Sequence, residues 1–350
     1  MLDVAIEIDR RELAIAAAFT VGDGERVALF GPSGSGKSTI LEVVAGLLLP
    51  RHGSVALRGR ELTRVDNRVA VRVPPWTRRV GLLRQDPALF PHLTVAANIA
   101  YSKGAAAAGD AALNRIAERL EIVHLLAEHP RRLSGGQAHR VALARLLLAG
   151  HHALLLDEPY TGLDARLRRV LTEAVHDEVR ERSVPSVLVA HELADAQAFA
   201  DRLAVLDGGR LLQIAAPADV VRHPATRRVA ELVGYLSFVP AAMTAGGAPD
   251  GVGSGSRGAV MGVHPERARQ GAVPGEGVVL CGTVGGARPA GAGFEVDLVL
   301  DGSSPGSSVI CRSDDAPPAR GEPFEVTVSD PPWFDASGDL VAGRAGGSGG

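Results

Sequence analysis

The stretch "GPSGSGKST" follows the apolar run "RVALF" and precedes the helical pattern "TILEVVAGLL". It matches G-x-x-x-x-G-K-[ST] through Gly31, Pro32, Ser33, Gly34, Ser35, Gly36, Lys37, Ser38 and Thr39. Glycines at 31, 34 and 36 let backbone N–H groups wrap a β-phosphate, and Lys37 reaches the β/γ-phosphates as a point charge. Ser38 offers a hydroxyl to Mg²⁺. An ordinary Gly/Ser turn needs neither the lysine nor the adjacent hydroxyl.

Three further places supply the groups that a phosphate loop requires. "ALLLDE" ends an apolar run in Asp157 and Glu158, where Asp157 holds Mg²⁺ through water and Glu158 orients and polarises the water that attacks a γ-phosphate. "VLVAHE" ends another in His191, whose ring nitrogen can bond the γ-phosphate. Gln85 in "LLRQDPALFPH" is a candidate Mg²⁺ ligand on a loop that links metal occupancy to movement of a helical insertion. "LSGGQAHRVALARLLL" has two readings. Ser134 and Gln137 have capping-box spacing, and the same helix start, with Gly135 and Gly136 allowing close approach, is also suited to an anion.

These residues need a scaffold that brings strand ends together. The first 235 residues alternate short apolar strands with helical patterns, predicting an α/β fold with a parallel sheet and chemistry at the carboxyl ends of "RVALFG", "ALLLDE" and "SVLVAHE". In "GDAALNRIAERLEIVHLLAEH", Leu113, Ile116, Leu120 and Val123 recur at helical spacing, predicting a helical insertion over about 88–150. Residues 236–258, rich in Gly, Ala and Ser, read as a flexible linker. Over 259–342, strict alternation in "FEVDLVL" (Phe294, Val296, Leu298 and Leu300 against Glu295 and Asp297) and "FEVTVS" (Phe324, Val326, Val328) predicts a small all-β sheet or barrel. Residues 343–350 read as a disordered tail.

Composition narrows the class. A chain of 350 residues fits two domains, and 46% hydrophobic with 22% charged residues is a globular balance. A net charge of -3 gives no electrostatic case for nucleic acid. Even "VALARLLLAG" is interrupted by Arg145, so no apolar run crosses a bilayer and a membrane role must come through a partner. "DRRELAIAAAF" is not a twin-arginine signal, because acidic residues precede it and the strand of the phosphate loop comes closely after it. Cys281 and Cys311 lack metal-ligand spacing and read as reduced core residues, in keeping with a cytosolic setting.

The ordered set "GPSGSGKST", Gln85, "LSGGQ", "LLLDEP", "GLD" and "VAHE" resembles the nucleotide-binding subunit of ABC transporters over about the first 235 residues. That resemblance implies ATP and Mg²⁺ as cofactors and a head-to-tail homodimer. In it Ser134, Gly136 and Gln137 contact the ATP of the opposite subunit, and Asp164 in "TGLD" lines the seam. It also implies ATPase activity at the cytoplasmic face of a membrane, coupled to separate permease subunits through a groove near Gln85 to Tyr101. "RRVGLLRQDPALFPHLTVAANIAY" looks like the importer branch that serves an extracytoplasmic binding protein. "VMGVHPERA" with its short strands resembles the oligonucleotide-fold-like (TOBE) regulatory domain of importers for molybdate, sulfate, iron, polyamines or sugars. "PPWTRRVGLLRQDPALFPHLTV" looks most like the molybdate and ferric-iron members.

Two departures stand out. That family stacks an aromatic residue near the N-terminus on adenine, where this sequence offers Phe19 on a predicted strand, and His139 stands where the family has glutamine. A soluble, non-transport ABC-type ATPase is the alternative class. It would bring two cassettes, or a long heptad insertion and basic surface, none of which this sequence has. An exporter subunit is the third, and the C-terminal β-rich segment argues against it.

Overall fold

Alternation in "LDVAIEIDR" and "LAIAAAFTV" sets Leu2, Val4, Ile6 and Ile8 of β1 (Leu2–Arg10) beside Ile15, Ala17, Phe19 and Val21 of β2 (Leu13–Val21) on one buried face. The two strands pair antiparallel from Leu2↔Val21 to Arg10↔Leu13. They belong to a computed structural model that describes residues 1–10, 13–244, 259–271, 277–291, 293–302 and 308–341. Contacts divide it into two units, Met1–Pro217 and Ala218–Gly350.

In the first unit the chain continues through β3 (Arg26–Phe30), α1 (Lys37–Ala45), β4 (His52–Leu57), β5 (Arg60–Val65), β6 (Val69–Arg72) and β7 (Val80–Leu83). Helices α2 (Val95–Ile99), α3 (Lys103–Arg119) and α4 (Gly135–Leu148) come next, then β8 (Ala153–Asp157), α5 (Ala165–Arg182), β9 (Ser186–Ala190), α6 (Leu193–Phe199), β10 (Arg202–Asp207) and β11 (Arg210–Ala215). One sheet of order β6-β5-β4-β1-β2-β11-β10-β3-β9-β8-β7 results. Strands β10, β3, β9, β8 and β7 are parallel neighbours; the first four are buried on both faces as their unbroken apolar runs require, and β7, at the sheet edge, buries Gly81 and Leu83 while Val80 and Leu82 are half-buried. The three strands read from the sequence as site-bearing lie side by side as β3-β9-β8.

The helical insertion lies between β7 and β8, but its periodicity ends earlier than expected. Glu121 takes a left-handed φ of 55°, α3 stops at Arg119, and Val123 turns outward while Ile122 is buried instead. Among the described residues no helix is long and apolar enough to cross a membrane.

Arginine closes a helix end in this unit. Arg78, 2% exposed, donates from Nη1 to Val43 O (3.2 Å) and Val44 O (3.0 Å) at the end of α1, from Nε to Val73 O (2.8 Å), and from Nη2 to Thr63 Oγ1 (2.7 Å). Gly46 makes room for it: at φ 83°, a Cβ there would meet Arg78 Nε at 2.3 Å. Burial lowers the guanidinium to a pKa of about 10, still a cation at neutral pH and well placed at the negative end of a helix dipole. Arg78→Met strands several buried acceptors, so we expect it to destabilise the unit by about 3 kcal/mol or more. In thermal unfolding this is a fall of roughly 6–12 °C for a domain of this size, and an unchanged midpoint would contradict the capping role.

His151, between α4 and β8, packs against Gly81, where a Cβ would meet its ring carbon at 2.4 Å. Burial first, then the charges of Arg182 and His152, push its pKa down to about 4. A depressed histidine stays neutral in the fold and protonates more readily in the unfolded chain. Its contribution is therefore complete above about pH 6.5 and declines as pH falls toward 4. Melting curves from pH 7 to 4.5 are expected to steepen downward below pH 6.5, and His151→Leu to flatten that slope.

The second unit shows a different texture. After α7 (Pro217–Arg222), which begins at the boundary, come α8 (Arg227–Leu232), β12 (Ser237–Pro240), β13 (Val260–Val263), β14 (Ala268–Gln270), β15 (Val278–Ala290), β16 (Gly293–Leu300), β17 (Ser308–Ser313), β18 (Pro323–Val328), β19 (Trp333–Phe334) and β20 (Leu340–Val341). Strands β14-β17-β16-β15-β18 close a barrel, with Val296, Leu298, Val326 and Val328 inside, as the alternating pattern predicts. Cys311 is buried, whereas Cys281, expected in the core, is exposed; both are free.

The linker begins later than the composition indicates. Residues 237–240 form β12, which pairs with β13 from Ser237↔Val263, and the contact boundary falls at Pro217 rather than near 235. The remainder of that linker, residues 245–258, and the tail 343–350 lie outside the described residues.

Candidate functional site

The loop over residues 31–39 is shaped by backbone crowding. A Cβ on Gly31 would sit 1.9 Å from Leu206 O on β10, and one on Gly36, the left-handed N-cap of α1 at φ 103°, would meet Ile15 Cδ1 at 2.8 Å. Only glycine fits either place. The loop therefore seats between β10 and β2 and delivers Lys37 and Ser38 to the first turn of α1.

Lys37 is 5% exposed, and its Nζ donates to Gly31 O and Pro32 O at 2.8 Å each and lies 3.4 Å from Ser35 Oγ. Burial holds its pKa below the ordinary lysine value, with the charges of Glu158 and Asp157 opposing. A buried ammonium held by neutral oxygens is a position prepared for an anion. Ser38 Oγ donates to Asp157 Oδ1 at 2.8 Å. Burial raises the Asp157 pKa, and the Ser38 bond counters it. This hydroxyl and carboxylate are hard oxygen donors, which fit Mg²⁺. Among the described residues no three or more His, Cys, Asp or Glu are grouped to hold a metal.

Glu158 comes directly after β8 at φ 48°, a left-handed conformation that costs a non-glycine residue about 1–2 kcal/mol. Its N–H donates to Val189 O on β9 at 3.2 Å. This turn sends the carboxylate into a cleft of about 720 Å³ lined by Ser33, Gly34, Lys37, Ser38 and Thr39. His191 Nδ1 stands 3.6 Å from Glu158 Oε2. Arg168 of α5 joins Glu192 (2.9 Å) and Asp195 (3.2 Å) just beyond it. The pairing Leu83↔Leu156 makes β7 release its chain beside Asp157, and Gln85 is exposed there, outside the cleft lining.

A second group gathers elsewhere. Ser134 Oγ accepts from Gln137 N at 3.3 Å, and Gln137 Oε1 accepts from Ser134 N at 2.9 Å, so the capping box at the start of α4 is formed. A Cβ on Gly135 would meet nothing within 4 Å, and one on Gly136 would meet Leu163 at 3.0 Å. Asp164, next to Leu163, caps α5 by accepting from Leu167 N at 2.9 Å. Thus Ser134, Gly135, Gly136, Gln137 and Asp164 share one neighbourhood, and none of them lines the Lys37 cleft.

Sequence reasoning missed Arg10, Leu13 and Ile15, which line the open side of the cleft. Their signal is weak, since an arginine at a strand end is usually a solvated residue. Phe19 is buried at 7% exposure among core residues and is not among the residues lining the Lys37 cleft. His139 is 6% exposed, its Nε2 lacks a partner, and burial lowers its pKa against the opposing charge of Asp86. A groove of about 310 Å³ runs past Arg84, Phe90, Tyr101 and Arg145.

Residues 16–161 match the family model described as "ABC transporter". The sulfate/thiosulfate import ATP-binding protein CysA 2 of Chromobacterium violaceum is 42% identical over 228 residues, 64% of this chain and 60% of that protein. The Fe(3+) ions import ATP-binding protein FbpC of Pseudomonas fluorescens is 42% identical over 227 residues, 64% and 62% of the two. The molybdenum import ATP-binding protein ModC of Mycobacterium tuberculosis is 42% identical over 238 residues, 66% and 63%. The chain thus spans about three fifths of the length of these relatives. Among solved structures, an ATP-binding subunit of an ABC transporter superposes with a TM-score of 0.54 at 24% identity, covering 63% of this chain and 92% of that one. A dimeric ATP-binding cassette in a post-hydrolysis state with ADP and Pi gives 0.53 at 24%, covering 62% and 99%. These two establish the fold.

Proposed function

We propose that this chain is an ATP-binding and ATP-hydrolysing subunit of an ABC-type importer that drives transport through separate permease subunits, a reading supported by the family match over residues 16–161 and by the import ATP-binding relatives. The meeting of Ser38 with Asp157 beside the buried Lys37, with Glu158 turned into the same cleft, carries this assignment. Lys37 and the loop N–H groups hold the phosphates of ATP, and Ser38, Asp157 and Gln85 hold Mg²⁺, which when bound neutralises phosphate charge. Glu158 accepts the proton of the attacking water at its carboxylate, with His191 beside it to bond the terminal phosphate.

The second group, Ser134 to Gln137 with Asp164, stands apart from this cleft and has an open glycine face, which suits it to the ATP of a second copy. Two chains then close head to tail on ATP and reopen after hydrolysis. The groove near Gln85 to Tyr101 receives the permease, the chain works at the cytoplasmic face of the membrane, and an extracytoplasmic binding protein delivers solute indirectly. The barrel of the second unit supports a TOBE-type regulatory domain. Molybdate or tungstate is the first solute to test; ferric iron, sulfate and polyamines, for which relatives are named, are the alternatives.

Co-purification of the chain with its membrane subunits and their binding protein, and then melting of that binding protein with each solute, tests both levels. Capture of no membrane protein, together with no phosphate release from MgATP, would overturn the importer reading. A binding protein unmoved by molybdate and tungstate removes that solute.

A further inference from the structure

Between the two groups of site residues runs a short physical path. Next to Gln85 stands Asp86, whose Oδ1 accepts from Ala88 N at 3.2 Å, and Ala88 adopts a left-handed φ of 46°. Arg145 of α4 then grips this turn with two donors: Nη1 to Ala88 O at 3.1 Å and Nη2 to Pro87 O at 3.0 Å. Its guanidinium carbon lies 5.5 Å from the centre of the Phe90 ring. Phe90 is itself fixed, its N–H donating to Asn98 Oδ1 at 2.8 Å and its carbonyl accepting from Asn98 Nδ2 at 3.1 Å. Asn98 is fully buried and also donates to Leu93 O and Thr94 O.

A planar fork on two successive carbonyls fixes orientation as well as distance, which a single ammonium cannot do. Arg145 stands about 16 Å along α4 from its N-cap, Ser134. The segment after Gln85 is thereby attached to the same rigid rod whose other end carries Ser134 to Gln137.

We propose that Arg145 is a positioning residue that fastens the Gln85 turn to α4, so that a ligand engaging Gln85 at the chain's own cleft sets the helix start offered to a second copy. This rests on the reading of the chain as a dimeric ATPase. Arg145 is not among the residues lining the Lys37 cleft; it acts by holding the turn and the helix in one register.

The test uses the full chain carrying Glu158→Gln, with MgATP-driven dimerisation read by light scattering and nucleotide affinity read separately by titration with a fluorescent ATP analogue. Arg145→Ala is expected to bind nucleotide within about threefold of its parent and to weaken dimerisation roughly tenfold or more. Gln85→Ala should weaken dimerisation comparably, and the double variant should be no worse than the weaker single one, because both act on one link. Arg145→Lys, which keeps one donor and the charge, should recover part of the loss and serves in place of Arg145→Ala where that variant melts below the assay temperature. Additive losses in the double variant, or dimerisation unchanged by either Arg145 substitution, overturn the inference. A Glu158→Gln parent that stays monomeric in MgATP removes the dimer reading and this inference with it, whereas additive losses in a dimerising parent remove the inference alone.

Discussion

Replacing Glu158 by glutamine is expected to lower ATP hydrolysis by about 10²- to 10⁴-fold while leaving nucleotide binding in place. The substitution keeps shape and the strained turn, since the backbone bond from residue 158 to Val189 O does not involve the side chain. It removes the carboxylate that takes a proton from water, and with it one negative charge near Asp157 and the phosphate. Binding therefore does not suffer, and closed ATP-bound dimers should accumulate. Phosphate release under saturating MgATP, with mass measured in the same buffer, decides the matter. Hydrolysis within about threefold of the parent chain would reassign the general base.

Lys37→Met separates two effects that usually travel together. The ammonium is buried against neutral oxygens, and its lowered pKa is the signature of a charge desolvated without a full partner. An apolar side chain of similar length should leave the nucleotide-free melting temperature unchanged or slightly raised. ATP affinity should fall by tens- to hundreds-fold, since charge-assisted bonds to the phosphates contribute about 1.5–3 kcal/mol each. The stabilisation that MgATP gives the parent chain should therefore vanish from Lys37→Met at the same concentration. Full ATP-dependent stabilisation in that variant would remove the phosphate-loop assignment.

Much of the first group was legible because its chemistry is local. Gly31 to Thr39 carry their meaning within one short loop, and unbroken apolar runs ending in Asp157, Glu158 and His191 announce buried parallel strands. The features that escaped depend on distant pairing. Nothing near Ser237 distinguishes a strand from a linker; only β13, well beyond it in the chain, completes its ladder. Val123 keeps helical spacing with Leu120, but the left-handed Glu121 between them ends the helix, and no local residue type signals that turn. Arg78 and Arg145 look like surface charges in an arginine-rich sequence. Their work on backbone carbonyls appears only when β7, α1 and α4 are set side by side. The capping box of Ser134 and Gln137 was readable from spacing alone, yet its neighbourhood with Asp164 required the fold.

The wedging of Gly31 under Leu206 O and of Gly36 against Ile15 has a thermodynamic consequence. The loop takes its curvature from the sheet, so its ordering is completed when the chain folds and not when nucleotide arrives. Association at this loop then involves little conformational entropy and little change in heat capacity beyond the ligand's own burial, unlike a segment that folds around its ligand. On the proposed reading the loop offers ATP a rigid mould, and the conformational response to binding is left to the segments beyond it.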